Sequence, residues 1–287
     1  MSRVAYVNGR YLPHAQARVH VEDRGYQFAD GVYEVILVAG GGLVDEEAHL
    51  DRLERSLREL AMRAPMSRAA LKLVLRETIR RNRVRDAMVY LQINRGVAPR
   101  DHAFPVGVKP SVVCTARRVV LPQGMDDHPG VAVVTVPDIR WRRCDIKSVS
   151  LLPNVLAKQK AEEANAYEAW LVDAAGYVSE GSSTNAWIVD DSGQVVTRPV
   201  GNEILSGITR GAVIRLARGA GVEVSERRFT LSEAKEAREA FVTSTTCLVR
   251  PVTQIDDTVV ANGHPGALTR RLLGLYLTYV RGSGAAA

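Results

Sequence analysis

Cysteine is scarce in this 287-residue chain. The three present, Cys114, Cys144 and Cys247, are far apart and have no metal-ligand spacing. Such usage argues against a disulfide-stapled secreted domain and reads as free thiols of a reducing compartment. The N-terminus lacks the apolar core of a signal peptide, and no apolar run approaches membrane-spanning length, so the expected location is the cytoplasm. Positive charge is in excess, +6 at neutral pH, but it is scattered. Its densest groups (Arg80, Arg81 and Arg83; Arg227 and Arg228) read as solvated faces, with no aromatic stripe between them, so neither nucleic acid nor membrane is an expected partner. Repeats and low-complexity tracts are absent too. What remains is ordinary globular composition, 46% hydrophobic and 24% charged, in a chain long enough for two domains with separate cores.

The first part of the chain mixes strands and helices. Val4 to Val7, Asn8-Gly9 and Arg10 to Leu12 spell a hairpin, the Asn-Gly pair supplying the positive-φ turn. A polar segment from Asp23 to Gly31 leads into a β-rich run, Val32 to Val38. Leucines 50, 53, 57 and 60 share one face of a helix expected over Glu46 to Arg63, and Ser67 caps a second helix that buries Leu71, Val74, Leu75 and Ile79. Two strands follow, Met88 to Ile93 and Ser111 to Ala116. The long polar loop between them, Arg95 to Lys109, is of a length more often functional than idle. Val120 to Gly124 is the expected linker, followed by the acidic pair Asp126-Asp127.

Beyond the linker strands dominate: Val131 to Pro137 (read as buried), Tyr167 to Val172, Asn185 to Val189, Gln194 to Thr197, Val222 to Val224, Phe241 to Ser244 and Leu248 to Ile255. Helices are expected at Pro153 to Asn165, Thr209 to Ala220, Leu231 to Arg238 (with a Thr230/Glu233 capping box) and Pro265 to Val280. Ser283 to Ala287 should fray. The organisation expected is a small α+β domain over 1–119, a linker at 120–124 and a second domain over 125–287.

Four constellations carry chemistry. Lys147 follows a strand and precedes Pro153, which suits a first helical turn. An amine among Ile146, Val149, Leu151 and Leu152 stays uncharged more readily, as a nucleophile toward an aldehyde must be. Alone, it reads more readily as a surface lysine snorkelling from a strand end, and only the other constellations overturn that. Val178 to Asn185 places a carboxylate, Glu180, before small hydroxyl residues, although a plain β-turn fits as well. Ile204 to Arg210 is a glycine turn feeding a helix, whose first N–H groups at Gly207, Ile208 and Thr209 suit a phosphate. Thr243 to Thr246 offers hydroxyls, or merely an exposed strand end. Together these meet the protein-side requirements of pyridoxal 5′-phosphate: an amine, a carboxylate for a protonated ring nitrogen, and a phosphate cup. A structural Lys147–Glu180 ion pair is the rival reading, and it leaves the cup unexplained.

Asp23-Arg-Gly-Tyr-Gln-Phe28, Asp30-Gly-Val-Tyr-Glu-Val35, His49-Leu-Asp-Arg-Leu53, Cys144-Asp-Ile-Lys-Ser148, Leu156-Ala-Lys-Gln159, Glu180-Gly-Ser-Ser183, Gly207-Ile-Thr-Arg210 and Val242-Thr-Ser-Thr-Thr246 resemble the fold-type IV pyridoxal-phosphate aminotransferases. Within them the D-amino acid aminotransferases are most similar. The resemblance implies a two-domain α+β fold, with a smaller N-terminal α/β sandwich domain and a larger, β-barrel-like cofactor domain with flanking helices. It implies Lys147 as the Schiff-base lysine, Glu180 on the pyridine nitrogen and Leu205 near the ring. Arg52, the backbone of Gly207 to Thr209, and the hydroxyls of Thr245 and Thr246 would hold the phosphate. Arg100 and His102 in the long loop, with Tyr33, would clamp the substrate carboxylate, the first two reaching across a homodimer. The implied reaction is a ping-pong transfer between a D-amino acid and 2-oxoglutarate or pyruvate. The alternatives on the same fold are a branched-chain L-amino acid or (R)-amine aminotransferase and an aminodeoxychorismate-lyase type. Thr184 and Pro153 depart from the pattern, where serine and a small residue are more usual.

Overall fold

Asn8 and Gly9 both take positive φ (46° and 92°). They close the hairpin of β1 (Val4–Val7) and β2 (Arg10–Pro13) in register Val7 to Arg10, the geometry expected of a two-residue turn that follows the strands' twist. A computed structural model of the chain describes residues 3–122, 124 and 128–284. It divides into two units, the first comprising Met1–Leu121, Ile146–Ser150 and Val280–Ala287, the second Pro122–Asp145 and Leu151–Tyr279.

In the first unit the hairpin is followed by α1 (Arg24–Phe28), β3 (Gly31–Ala39), β4 (Gly42–Leu43), α2 (Glu46–Glu59), α3 (Arg68–Asn82), β5 (Ala87–Asn94) and β6 (Ser111–Arg118). The strands form one antiparallel sheet, β2-β1-β6-β5-β3-β4. The leucine stripe of α2 (Leu50, Leu53, Leu57) packs with Leu75 and Ile79 of α3 on Val32 and Ile36 of β3. Each such side chain is worth about 2 kcal/mol in area removed from water. Helix α2 stops at Glu59, short of the expected Arg63. Ala61 turns left-handed (φ 49°), and the N–H groups of Ala61 and Met62 return to the carbonyls of Arg58 and Leu57. That closure usually advertises itself with glycine, and here it does not. The short α1 also lies outside the expected elements; Asp23 caps it by accepting the Gly25 N–H at 2.8 Å.

Ile146–Ser150 pairs with the start of β3. The Tyr33 N–H donates to Lys147 O and the Val149 N–H to Gly31 O, each at 3.0 Å, and Ser148 bridges Val32. These five residues, expected within the C-terminal domain, therefore group with the first unit instead.

The second unit carries β7 (Val131–Pro137), α4 (Leu152–Glu163), β8 (Glu168–Val172), β9 (Val178–Gly181), β10 (Asn185–Val189), β11 (Val195–Thr197), α5 (Ile208–Gly219), β12 (Val224–Glu226), α6 (Leu231–Glu236), β13 (Glu239–Ser244), β14 (Leu248–Ile255), β15 (Thr258–Val259) and, as far as Tyr279, α7 (Ala267–Gly284). Its sheet runs β12-β11-β10-β13-β14-β7-β8-β9, with β15 on β14. β7 lies parallel to both of its neighbours, and the path curls back where the Gly181 N–H donates to Thr184 O at 2.7 Å, joining β9 to β10. Trp170, Phe229, Ile188 and Val242 centre the core. The capping box of α6 is present, with Glu233 N–H on Thr230 Oγ1 and Thr230 N–H on Glu233 Oε2.

Two expectations change here. β7 has only Val133 fully buried, because one of its faces is covered by the small alanines of α4, Ala157 and Ala161. Residues 178–181, open to a β-turn reading, are a wholly buried strand. Gln123 of the expected linker, the pair Asp126-Asp127, and residues 285–287, expected to fray, lie outside the described residues. Among the described residues no helix is long and apolar enough to cross a membrane.

Candidate active site

In the first unit, His49, Arg52 and Ser56 recur at helical spacing on one face of α2 and meet the start of β3. Glu34 of β3, fully buried, takes Arg52 Nε at 2.8 Å and Nη2 at 2.7 Å in a bidentate fork, and its Oε2 also lies 2.7 Å from His49 Nδ1. Burial opposes ionisation of Glu34, but the Arg52 charge and hydrogen bond, with help from His49, pull its carboxyl down to about 2. Burial lowers His49 instead, so the imidazole contributes a hydrogen bond rather than a second positive charge.

Because the folded-state value of Glu34 lies below the ordinary 4.5, the stability it adds is complete above about pH 5 and drains as the pH falls toward 2. The difference corresponds to about 3 kcal/mol. Urea midpoints should therefore fall steeply between pH 5 and 3 in the wild type and less steeply in Glu34→Gln. Parallel slopes would place the acid lability elsewhere.

Ser56 Oγ accepts the Lys147 backbone N–H at 3.3 Å, and the opposite side of that residue is held by Tyr33. Successive side chains of an extended segment alternate. Ile146 accordingly enters the core while Lys147 turns the other way, half-buried, with Nζ 4.2 Å from the Tyr33 ring centroid. The apolar cage expected around the amine is thus an aromatic face, and Leu152 is exposed. Tyr33 in turn lies beside Tyr90, the ring centroids 5.6 Å apart and the planes tilted by 32°.

Arg100 and His102 are exposed in the 95–110 loop and gather around Phe28. The Arg100 guanidinium lies 4.6 Å over that ring, and the His102 ring centroid is 5.3 Å away.

In the second unit Glu180 is buried near the end of β9. Arg140 Nη1 and the Leu205 N–H donate to Oε1, while Asn185 Nδ2 (3.0 Å) and the same Leu205 N–H (3.2 Å) reach Oε2. Arg140 is itself aimed by Asp138, through Nε at 2.9 Å and Nη2 at 2.8 Å. Burial pushes the Glu180 carboxyl up, and Arg140 foremost, then the Leu205 N–H, pull against it. Every partner is a donor, and a protonated carboxyl would face them with a hydrogen of its own, so the contacts suit the anion. Three donor groups thus reach its two oxygens, the Leu205 N–H being shared between them. Asn185 Nδ2 also donates to Leu205 O, which fixes the amide's orientation. Sequence reasoning passed over Arg140. The signal was there in Asp138-Ile-Arg140, an acid and a base one strand pleat apart, but the pairing with Glu180 is long-range.

Gly207 caps α5, and the first turn of that helix holds no acidic residue. A Cβ there would lie 2.0 Å from Asn185 Oδ1, so a larger residue would displace the asparagine that bonds Glu180 and Leu205. Thr209 is buried, with Oγ1 3.4 Å from the Tyr276 hydroxyl. Thr245 and Thr246 sit in the turn between β13 and β14, Thr246 Oγ1 3.0 Å from Ser244 Oγ. Leu205, half-buried, shares its N–H with Glu180. Buried Thr184 Oγ1 makes no hydrogen bond and lies where a Cβ on Gly181 would stand. The cysteines are free, and among the described residues no cluster of His, Cys, Asp and Glu is arranged for a metal.

The first unit carries an amine, and the second a buried anion and a helix N-terminus free of acidic residues in its first turn, each a group that pyridoxal phosphate needs. The residues fit. The Amino-transferase class IV family matches residues 31–255. D-alanine aminotransferase of Bacillus licheniformis is 42% identical over 265 residues, 92% of this chain and 93% of the relative. The enzyme so named in Staphylococcus haemolyticus is 39% identical over 276 residues, 96% and 97% of the two chains. Among solved structures, the branched-chain amino acid aminotransferase of Thermoproteus uzoniensis with norvaline superposes with TM-score 0.87 at 27% identity, covering 99% of this chain and 96% of that one. The Escherichia coli branched-chain amino acid aminotransferase gives 0.90 at 25%, covering 99% and 96%. The family match runs from β3 to the end of β14, and the relatives span nearly the whole length: this chain belongs to the class IV aminotransferases.

Proposed function

We propose that the chain transfers the amino group of a D-amino acid to a 2-oxo acid, 2-oxoglutarate or pyruvate, with pyridoxal phosphate as cofactor. The single observation that carries this reading is the 39–42% identity to D-alanine aminotransferases across more than nine-tenths of the chain. The branched-chain enzymes that share the fold stand at 24–28%. The Arg100/His102 pair supports the same choice.

When bound, pyridoxal phosphate supplies an aldehyde for the amino group and a ring that accepts the electron pair left by the departing α-proton. Lys147 Nζ takes that proton from the substrate carbon and later returns it one position along, as a general base and then a general acid. Tyr33 fixes the lysine backbone and offers a ring face to the ammonium. Glu180 holds the ring nitrogen in its protonated state, and Arg140 holds Glu180 as an anion. The N–H groups of Gly207, Ile208 and Thr209, the hydroxyls of Thr245 and Thr246, and Arg52 bind the phosphate. Glu34 turns the Arg52 fork so that its plane is set before any ligand arrives. Leu205 packs beside the ring. Arg100 and His102, exposed in one protomer, serve the substrate carboxylate of the partner in a homodimer together with Tyr33, and the reaction takes place in the cytoplasm.

Mixing the cofactor-loaded protein with a panel of D- and L-amino acids should bleach the long-wavelength absorbance with D-alanine, and a 2-oxo acid should restore it. Bleaching by L-leucine or (R)-1-phenylethylamine but not by D-alanine would reject this reading for a branched-chain or amine aminotransferase. Pyruvate released without an amino acceptor would mark a lyase.

A further inference from the structure

Asp23 to Phe28 is a motif that the proposed reaction leaves without a role, and it forms the base on which the 95–110 loop stands. The Arg24 N–H donates to Gly96 O at 2.9 Å, Arg95 N–H to Asp30 O at 3.0 Å and Ala98 N–H to Glu22 O at 3.3 Å, while Asp23 bridges Val97. Arg24 reaches further along the loop. Its side chain is 3% exposed; Nε is held by Asp30 Oδ2 at 2.8 Å, Nη1 donates to Asp101 O, and Nη2 to His102 O at 3.4 Å. Asp30 Oδ2 also takes Arg95 Nε at 2.7 Å, and Arg95 lies 3.7 Å over the Phe104 ring. Phe28 completes the arrangement, with Arg24 4.8 Å and Arg100 4.6 Å from its ring centroid and the His102 ring 5.3 Å away.

One planar fork thus ties a half-buried carboxylate to the two carbonyls that follow Arg100. An ammonium has no plane with which to reach all three. We propose that Arg24, aimed by Asp30 and backed by Phe28, is a positioning residue for the carboxylate clamp: it fixes the loop backbone at Asp101 and His102, and so the direction in which Arg100 and His102 point. The inference rests on the clamp role given to Arg100 and His102 above. Without such a tie, ordering two long side chains on an exposed loop would fall to the substrate, and its affinity would drop accordingly.

The test uses the holoenzyme with Arg24→Lys, which keeps a charge beside Asp30, together with Arg24→Met, Arg100→Ala and the double variant Arg24→Lys/Arg100→Ala. Arg100→Ala should raise KM for D-alanine by about thirtyfold or more. Arg24→Lys should raise it by about tenfold, with kcat within about threefold. Amide exchange over residues 97–106 should quicken in both Arg24 variants while β5 and β6 keep their protection. Added to Arg100→Ala, Arg24→Lys should raise KM by clearly less than its roughly tenfold effect in the wild type, because only the His102 part of the clamp is left to misplace.

Wild-type KM and exchange in Arg24→Lys would overturn the proposal, as would independent, multiplying effects of the two substitutions. A raised KM with unchanged loop exchange would also overturn it. A wild-type KM in Arg100→Ala would instead sink the clamp itself, and the proposal with it. If Arg24→Met fails to fold, the lysine variant still decides.

Discussion

Lys147→Ala is expected to abolish the long-wavelength absorbance of the cofactor-loaded protein and to lower turnover by about four orders of magnitude, the upper range for loss of a general base. The size follows from the double duty proposed for one atom, Nζ, which would both bind the cofactor's aldehyde and move the proton. The fold should survive. The side chain is half-buried, the core is supplied by neighbouring Ile146, and the backbone at 147 is held from both sides by Tyr33 and Ser56 through main-chain atoms that alanine retains. Lys147→Arg should fail as completely, since it restores the charge but not a neutral amine. In the wild type, borohydride reduction followed by peptide mapping should find the pyridoxyl group on Lys147. A tag elsewhere, or a variant that keeps its band and its rate, would end the assignment.

Glu180→Gln should lower turnover by about 10²- to 10³-fold, as expected when a pre-placed charge facing a developing one is removed. Two causes add. The ring nitrogen would lose the anion proposed to keep it protonated, and the new amide must point its NH₂ at one of donors Arg140, Asn185 or Leu205, leaving a buried group unpaired. Stability should suffer less than activity, because Arg140 remains paired with Asp138 through two bonds. Absorbance of the bound cofactor followed against pH separates the causes: in the glutamine variant the ring-nitrogen titration moves to lower pH, since its protonated form has lost a partner. Glu180→Asp, anionic but shorter, should recover part of the rate. A glutamine variant with wild-type turnover would remove Glu180 from the ring.

The regular elements were legible wherever periodicity or capping chemistry is local. The Asn8-Gly9 hairpin, the leucine stripe of α2 and the Thr230/Glu233 box each follow from residues within a few positions of one another. Less legible were features settled by distant partners. The end of α2 depends on Ala61 accepting a left-handed turn without glycine, and β9 is a strand because β8 lies beside it. Of the site, the motifs name Lys147, Glu180, Arg52 and Gly207, but not what holds them. Glu34 beneath Arg52 and Arg140 beneath Glu180 are charges whose partners lie 18 and 40 positions away, beyond any local pattern. The surroundings expected of Lys147 were inaccurate for a related reason: neighbours in sequence along an extended segment point apart, and the contact that counts is with Tyr33 of another strand.

Asn185 has a consequence beyond its hydrogen bonds. Its amide nitrogen touches Glu180, and its amide oxygen sits where a methyl on Gly207 would be, so a single short side chain abuts both the carboxylate and the start of α5. The span from heterocycle to phosphate in the coenzyme is set by covalent bonds and cannot stretch. With Glu180 at the heterocycle and the start of α5 at the phosphate, as proposed above, one asparagine would act as a gauge block for that span, matching the distance between two anchors to the length of the molecule they share.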